Sequence, residues 1–211
     1  MSLSNARSRS LRLHPLAACL AALVGSTDAS ALPAVPSGAI VVTSCQDHGP
    51  GTLREAVSMA GDGVAVDLTQ VSCSQITLTT GRLETTHNLL VQGPGSGLLT
   101  IDGNNYDRIF NQNANAVLAV YGLTLQRGSG FLAGGCIYSQ GTVQLNDAVL
   151  TDCRIFAIAG TSIYQGGAIY TKSDLVLTSS RIVDNTIYTA LGGAVGGGVS
   201  VAGDLVLMNS T

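Results

Sequence analysis

The chain has 211 residues, of which 45% are hydrophobic, 11% are charged and 4% are aromatic, and its net charge is −3. A disordered chain would hold more charge and fewer Val, Ile and Leu, so this composition predicts a folded domain, with 26 glycines that indicate many turns. The basic residues form no cluster downstream of Ala31, which argues against a nucleic-acid-binding protein.

The segment from Met1 to Ala31 has the pattern of a secretory signal peptide. Arg7, Arg9 and Arg12 precede an apolar run from Pro15 to Gly25, and an A-x-A site ends at Ala31. The apolar run is too short to span a bilayer as an uncleaved anchor. Cleavage after Ala31 removes three arginines and one aspartate, which leaves seven basic and twelve acidic residues and a net charge of −5.

This leader also predicts where the protein resides. The stretch "LAAC", which ends at Cys19, is similar to a lipobox, but the apolar run continues past Cys19 instead of ending there. A cleaved signal is therefore favoured over a lipoprotein. We expect an exported protein, extracellular or associated with the outer membrane, with the periplasm as the alternative and without a transmembrane segment in the mature chain.

Residues 32–74 are interpreted as an N-terminal strand and a capping helix. Thr52 and Glu55 form the capping box T-x-x-E, in which Thr52 accepts a hydrogen bond from the Glu55 amide and Glu55 reaches back to Thr52. The apolar residues that follow share one helical face, so a short amphipathic helix is expected to cover the open end of the strands that come after it. A catalytic role for Glu55 with His48 lacks a further partner at a useful spacing.

Four cysteines remain after cleavage, which predicts two disulfides in an oxidising compartment. Four cysteines allow three pairings, and Cys45–Cys73 with Cys136–Cys153 is favoured because each bridge closes a local segment. The sequence holds no CxxC pair, so no metal site is expected, and no motif indicates a cofactor.

Two markers recur in step through residues 75–211. A pattern of apolar residues, Φ-x-Φ-x-x-x-x-Φ, begins at Leu118, Val143, Leu175 and Leu205. Paired glycines followed by a short apolar run recur as well, and the step from one pair to the next equals the step between the last three copies of the apolar pattern. These pairs are Gly134–Gly135, Gly166–Gly167 and Gly196–Gly197.

These markers predict an all-β fold, a right-handed parallel β-helix with a short N-terminal capping helix. Apolar residues alternate with period two, and the repeats are too short for helical crossovers, so each repeat is expected to form one coil stacked on the last. Gly166 and Gly167 are expected to take turn conformations that residues with a Cβ avoid. Tyr138 and Tyr170 share a repeat position, which predicts a two-ring ladder that serves packing.

Several of these stretches resemble motifs of known proteins. "GPGTLREAV" is similar to an LREA-type motif found ahead of right-handed parallel β-helix repeats in bacterial surface proteins. "GGCIY", "GGAIY" and "IVDN" resemble the GGA-I/L/V and F-x-x-N repeats of the polymorphic outer-membrane protein family, over residues 40–211. The Asn of F-x-x-N is present only as Asn185, with Cys153 and Gly128 in its place in other copies. The resemblance implies an exported, adhesin-like β-helix, usually attached to the surface by a separate C-terminal region.

Asp152 and Asp184 are the strongest candidates for catalysis. Their separation equals the step from Gly134 to Gly166, so they share a repeat phase and are expected to lie one above the other. Glycoside hydrolases use paired carboxylates, and lyase sites gather several carboxylates around Ca²⁺. Arg127 occupies the third position in phase, where a further carboxylate would be needed, so a solvated turn is favoured over a catalytic site.

The sequence favours an exported, non-catalytic β-helix protein, adhesin-like or structural. Its expected partner is a surface polysaccharide or a protein of a host or neighbouring cell. The alternative is a polysaccharide lyase or glycoside hydrolase of the parallel β-helix type. The chain stops within a repeat, at "LVLMNST", which predicts a truncated reading frame or a fragment of a longer protein.

Overall fold

A computed structural model of the chain describes residues 32–157, 163–190 and 192–211. The described chain is an all-β parallel β-solenoid of about six turns with one short helix, as the repeats predicted. The signal peptide predicted over residues 1–31 lies outside the described residues and stays a prediction. None of the described helices has the length and apolar character that a membrane span requires.

The described chain forms one helix and twenty short strands. The helix is α1 (Leu53–Met59). The strands are β1 (Ile40–Val41), β2 (Ala65–Asp67), β3 (Gln75–Thr77), β4 (Leu83–Thr85), β5 (Leu89–Gln92), β6 (Thr100–Asp102), β7 (Phe110–Gln112), β8 (Leu118–Gln126), β9 (Ser129–Gly130), β10 (Ile137–Ser139), β11 (Val143–Thr151), β12 (Arg154–Ala157), β13 (Ile163–Gln165), β14 (Ile169–Thr171), β15 (Leu175–Thr178), β16 (Arg181–Val183), β17 (Thr186–Thr189), β18 (Gly193–Val195), β19 (Val199–Val201) and β20 (Leu205–Met208).

Parallel pairing between successive coils arranges these strands into four sheets. Sheet A has the order β1-β2-β5-β8-β11-β15-β20. Three further strands belong to this sheet: β6 pairs with the C-terminal part of β8, β3 pairs with β6, and β16 pairs with the C-terminal part of β11. Sheet B has the order β19-β14-β10-β7-β4, sheet C is β17-β12-β9, and sheet D is β13-β18. Sheet A thus extends into the segment before residue 75, because β1 and β2 pair with each other and β2 pairs with β5.

The core consists of aliphatic columns that run along the stack of coils. The predicted apolar marker sets the register: Val143 pairs with Leu118 below it and with Leu175 above it. Leu150 pairs in the same way with Leu125. These side chains are fully buried, so each coil closes its interior only by packing on its neighbours.

The glycine pairs serve two separate steric needs. The first glycine of each pair has a positive φ, 64° at Gly134 and Gly166 and 66° at Gly196, as a left-handed turn requires. The second glycine has no positive φ, so the turn conformation expected of Gly167 is wrong. A Cβ on Gly167 would instead collide with the carbonyl oxygen of Gly197 in the next coil. At Gly135 and Gly167 the second glycine is therefore required by the close approach of the next coil, whereas nothing lies within 4 Å of a Cβ placed on Gly197.

The N-terminal helix α1 packs its apolar face against the first coil. Leu53, Ala56 and Val57 are buried and join the core of the solenoid. The Thr52 side chain accepts a hydrogen bond from the Glu55 amide at 3.2 Å, as predicted. The Glu55 carboxylate accepts one from the Gly51 amide at 2.6 Å, so the return bond reaches one residue further back than Thr52.

Two cysteine pairs stand at disulfide distance, and they are the pairs that the sequence favoured. Cys45 and Cys73 have their Sγ atoms 2.15 Å apart and tie the N-terminal segment to the first coil. Cys136 and Cys153 have theirs 2.02 Å apart and are fully buried, so this bridge crosses the interior of a single coil.

Asn185 lies one coil above Cys153, so a single Asn stands at this corner where a continuous ladder would have one in every coil. Its side-chain oxygen accepts a hydrogen bond from the Cys153 amide at 2.9 Å, and its amide group donates to the carbonyl of Leu150 at 3.0 Å. The Asn185 side chain therefore satisfies two backbone groups of the coil below it, in which the equivalent position is occupied by the disulfide-bonded Cys153.

Candidate functional site

The two candidate carboxylates lie at the corner between sheets A and C. Asp152 lies between β11 and β12, and Asp184 lies between β16 and β17. The register of the flanking strands makes these positions equivalent in successive coils, and Arg127 is the equivalent residue one coil below. All three have a positive φ of 51–57°. Asp tolerates this conformation better than most residues, so the fold alone explains an aspartate at this corner but not the arginine.

An open depression of about 270 Å³ forms around this corner. We call it the corner site. Its lining is Asn105, Arg127, Asp152, Cys153, Arg154, Asp184 and Thr186. Residues from four successive coils therefore contribute to one surface, of which the sequence had placed Arg127, Asp152 and Asp184 in one repeat phase.

Arg127 is held in place by a buried carboxylate, Asp102. Its Nε donates to both carboxylate oxygens at 3.0 Å, and its Nη2 donates to Oδ2. Burial raises the pKa of Asp102, but hydrogen bonds from Arg127, the Asn104 amide and Gln126 outweigh it and lower that pKa overall. Hydrogen bonding to Asp102 raises the pKa of Arg127 in turn, with a smaller contribution from the charge of Asp152. The charge of Arg127 is thus largely neutralised within the fold.

The carboxylates of Asp152 and Asp184 differ from the buried carboxylate of Asp102, because both are exposed to solvent. Within the described ranges, neither accepts a side-chain hydrogen bond or forms a salt bridge with any residue. Arg154, also exposed, pairs through its backbone with Thr186 and leaves its guanidinium free among the described residues. These three charged groups are available to a ligand.

A row of exposed aromatic side chains continues from the corner site along sheet C. Phe156 and Tyr188 are register partners, and their rings stack with centroids 5.2 Å apart and an interplanar angle of 11°. Their exposed fractions are 50% and 55%, which is unusual for stacked aromatic residues. Phe131, which is 64% exposed, directly follows β9 in the coil below.

The corner site and these aromatic residues form one continuous surface, the sheet C face. Along β12 and the turn before it, Asp152, Arg154 and Phe156 are exposed while the residues between them are buried. Asp184, Thr186 and Tyr188 repeat this order one coil above. The sequence carried the signal for the aromatic pair, since Phe156 and Tyr188 have the same spacing as the two aspartates, but the pair was not predicted.

A second aromatic ladder on sheet B has a packing role. Tyr138 and Tyr170 stack with centroids 5.4 Å apart, which confirms the predicted ladder. Both are half-buried, and the Arg108 guanidinium lies 5.2 Å from the centroid of Tyr138. Because a protein cation already occupies this ladder, less of its surface is open to a ligand.

The residues around α1 are engaged in the fold. His48 and Glu55 line a depression of about 280 Å³, but the Glu55 carboxylate is occupied by the Gly51 amide. Asp47, which the sequence did not single out, is the most densely bonded carboxylate of this region. It accepts hydrogen bonds from Arg54 at 2.7 and 3.0 Å and from the amides and hydroxyls of Thr79 and Thr80.

Among the described residues, no three or more His, Cys, Asp or Glu side chains come together as a group that could hold a metal ion. The corner site brings together two carboxylates rather than the larger set that binds Ca²⁺ in lyase-type sites. Comparisons with protein-family models, with curated proteins and with solved structures gave no match. The parallel β-solenoid implied by the resemblance is present, while membership of the polymorphic outer-membrane protein family stays a prediction.

Proposed function

We propose that this chain is an exported, non-catalytic β-helix protein, adhesin-like or structural, that acts at the cell surface by binding through the sheet C face. The observation that carries the proposal is the set of exposed groups on that face which the fold does not use: Asp152, Arg154, Asp184 and the stacked pair Phe156 and Tyr188. Among the described residues, the charged side chains of this face make no side-chain hydrogen bond and the aromatic pair stays half exposed, in register on two successive coils, which points to an external partner.

Two further features support export and surface location. Disulfides persist in oxidising compartments, and two cysteine pairs stand at disulfide distance. The leader pattern of residues 1–31 and the resemblance to the polymorphic outer-membrane protein family agree with this location. Export is tested by expressing the full chain in a Gram-negative host and sequencing the N-terminus of the protein found outside the cytoplasm. A start at Leu32 supports the proposal, and a cytoplasmic chain that retains residues 1–31 contradicts it.

The absence of catalysis is tested with pectin, alginate and neutral plant and microbial polysaccharides. We expect no release of reducing ends and no absorbance from unsaturated sugars after prolonged incubation with the full chain. Product that forms with this chain and disappears in Asp152→Asn would contradict the proposal.

A polysaccharide lyase or glycoside hydrolase is the second candidate, because Asp152 and Asp184 lie one coil apart in one depression. Adjacent coils are about 4.8 Å apart, close to the separation of about 5 Å between the carboxyl groups of retaining glycosidases. Against it, both carboxylates are solvated, and each occupies a turn conformation that aspartate adopts for backbone reasons alone.

A further inference from the structure

We propose that the sheet C face binds an extended, uncharged polysaccharide, with sugar rings on Phe156 and Tyr188 and sugar hydroxyls on Asp152 and Asp184. This inference rests on the proposed function and names the ligand class of the same surface. It follows from three properties of the face: its aromatic platform, the length of its polar row, and the sign of its unpaired charges.

The aromatic platform suits the apolar face of a sugar ring. Phe156 and Tyr188 are stacked in nearly parallel planes, 11° apart, so each ring covers one face of the other, and each residue still exposes at least half of its surface through its ring edge and outer face. A pyranose ring presents a flat array of C–H groups that can lie on such a surface while its hydroxyls remain at the edge. Exposed aromatic surface of this kind costs solubility unless a partner covers it, so its presence in register on two coils indicates a ligand.

The length of the row requires an extended ligand. Asp152 and Phe156 are four residues apart along one exposed edge, and Asp184 and Tyr188 are four residues apart in the next coil. Only the residues from Arg154 to Phe156 and from Thr186 to Tyr188 are extended strand, so at a rise of about 3.3 Å per residue each row spans between about 6.6 Å, for the strand part alone, and an upper limit of about 13 Å between its terminal Cα atoms. A single sugar cannot reach both ends. Arg154 and Thr186 lie between them and offer hydrogen-bond donors along the way.

The unpaired charges select against acidic polymers. Arg127 is paired with Asp102 and also feels the charge of Asp152, so Arg154 is the guanidinium without a salt bridge among the described residues that line the corner site, against the two carboxylates of Asp152 and Asp184. Carboxylates accept hydrogen bonds from sugar hydroxyls but repel the carboxylates of uronic acids. The net charge of the whole chain, −3, acts in the same direction. An uncharged polymer is therefore favoured over pectate or alginate.

Affinity electrophoresis of the full chain tests the ligand class. Native gels would contain galactomannan, xyloglucan, hydroxyethyl cellulose or soluble starch as uncharged probes, and polygalacturonate or alginate as acidic probes. We expect at least one uncharged polymer to retard the protein and neither acidic polymer to do so. Retardation by an acidic polymer that is abolished in Arg154→Gln would overturn the inference.

Substitutions on the two aromatic ladders test the position of the site. Phe156→Ala and Tyr188→Ala are each expected to weaken retardation about tenfold, which corresponds to about 1.4 kcal/mol and lies within the range of contacts made by an aromatic ring. Tyr170→Ala removes a stacked tyrosine from sheet B and is the matched control, with unchanged retardation expected. Equal losses in Tyr170→Ala and Tyr188→Ala would overturn the assignment to the sheet C face.

The remaining outcomes separate this inference from the proposed function. If no polysaccharide retards a chain that melts cooperatively in circular dichroism, the ligand class is wrong while a non-catalytic surface protein remains tenable. Capture of a purified surface protein that is lost in Phe156→Ala would likewise replace the polysaccharide by a protein partner. Release of sugar products in solution assays would contradict the proposed function itself.

Discussion

Two carboxylate-bearing corners of the solenoid differ in how the fold uses their charge. Asp47, beside α1, has a side chain that is 2% exposed and accepts hydrogen bonds from Arg54, Thr79 and Thr80. Asp152 and Asp184, at the corner site, are exposed and have no side-chain hydrogen bond within the described part of the chain. The first corner holds the N-terminal segment to the first coil, whereas the second leaves its carboxylates to solvent.

The Asp47 carboxylate is bonded within the fold, whereas the corner-site carboxylates are open to a partner. Arg54 also donates to the carbonyls of Gly81 and Arg82, so the Asp47 cluster links two segments, 47–54 and 79–82, that are distant in sequence. At the corner site the backbone geometry is set by positive φ values and by a disulfide at Cys153, without help from the carboxylates. The carboxylates of Asp152 and Asp184 therefore remain free to bind a partner without loss of contacts within the described fold.

Removing the Asp47 carboxylate is expected to have the largest effect on stability. Asp47→Ala leaves the guanidinium of Arg54 and the amides of Thr79 and Thr80 without their acceptor, and breaking a buried charge pair in this way costs about 3–5 kcal/mol. Urea unfolding followed by circular dichroism measures the loss. A loss below about 1 kcal/mol, the range of exposed pairs, would show that the two corners do not differ.

Removing the disulfide beside the corner site is expected to be the next largest effect. Cys136→Ala with Cys153→Ala opens a loop with a sequence separation of 17 and should lower the free energy of unfolding by about 3 kcal/mol. The same urea titration measures it, with Cys45→Ala and Cys73→Ala as the comparison. If the double variant unfolds at the wild-type midpoint, the corner geometry does not depend on the bridge.

Acid is expected to weaken the Asp47 corner selectively. Burial raises the pKa of Asp47, but the hydrogen bonds from Thr80, Arg54 and Thr79 outweigh it and lower the pKa from 3.8 to about 2. Because the folded pKa lies below the unfolded value, this contribution is present above pH 4 and is lost as the pH falls towards 2. It amounts to about 2 kcal/mol.

Melting temperatures measured between pH 5 and pH 2 test this dependence. Asp47→Asn should show a shallower decline than the unsubstituted chain, because its side chain has no charge to lose. The buried Asp102, whose pKa is also lowered, adds a decline of the same sign that Asp47→Asn retains. Parallel pH profiles for the two proteins would contradict the assigned role of Asp47.

The smallest effect is expected for the corner-site carboxylates. Asp152→Asn with Asp184→Asn keeps side chains that tolerate a positive φ and removes no bond among the described residues, so the free energy of unfolding should change by less than about 0.5 kcal/mol. Urea unfolding again provides the measurement. A loss comparable to that of Asp47→Ala would mean that these carboxylates belong to the fold.

Periodicity explains why the fold could be predicted from the sequence and the site only in part. The apolar marker at Leu118, Val143 and Leu175 corresponds directly to the register of sheet A, because stacking repeats must align their buried positions. The same alignment of repeats predicted that Asp152 and Asp184 are equivalent positions in successive coils and that Tyr138 and Tyr170 form a ladder. It could also have found Phe156 and Tyr188, whose spacing equals one coil.

Contacts outside the repeat phase could not be predicted in this way. Asp47 meets Thr79 and Thr80 from a distant part of the chain, and all three residues precede the first copy of either repeat marker. Asp102 begins the turn-like stretch "DGNN", but it is buried and binds Arg127 in the next coil, which neutralises the one arginine at the corner position. Such pairs depend on side-chain reach between coils, and the hydrophobic pattern carries no information about that.

A single incubation in which binding and turnover are measured together tests most directly whether the chain binds a polysaccharide without cleaving it. The full chain is mixed with an insoluble uncharged polysaccharide, the pelleted protein is quantified, and the supernatant is assayed for soluble reducing and unsaturated sugars. We predict that the chain pellets with at least one such polymer, that Tyr188→Ala reduces the pelleted fraction, and that no soluble sugar appears. Soluble sugar that accumulates with time and is abolished in Asp152→Asn would contradict it.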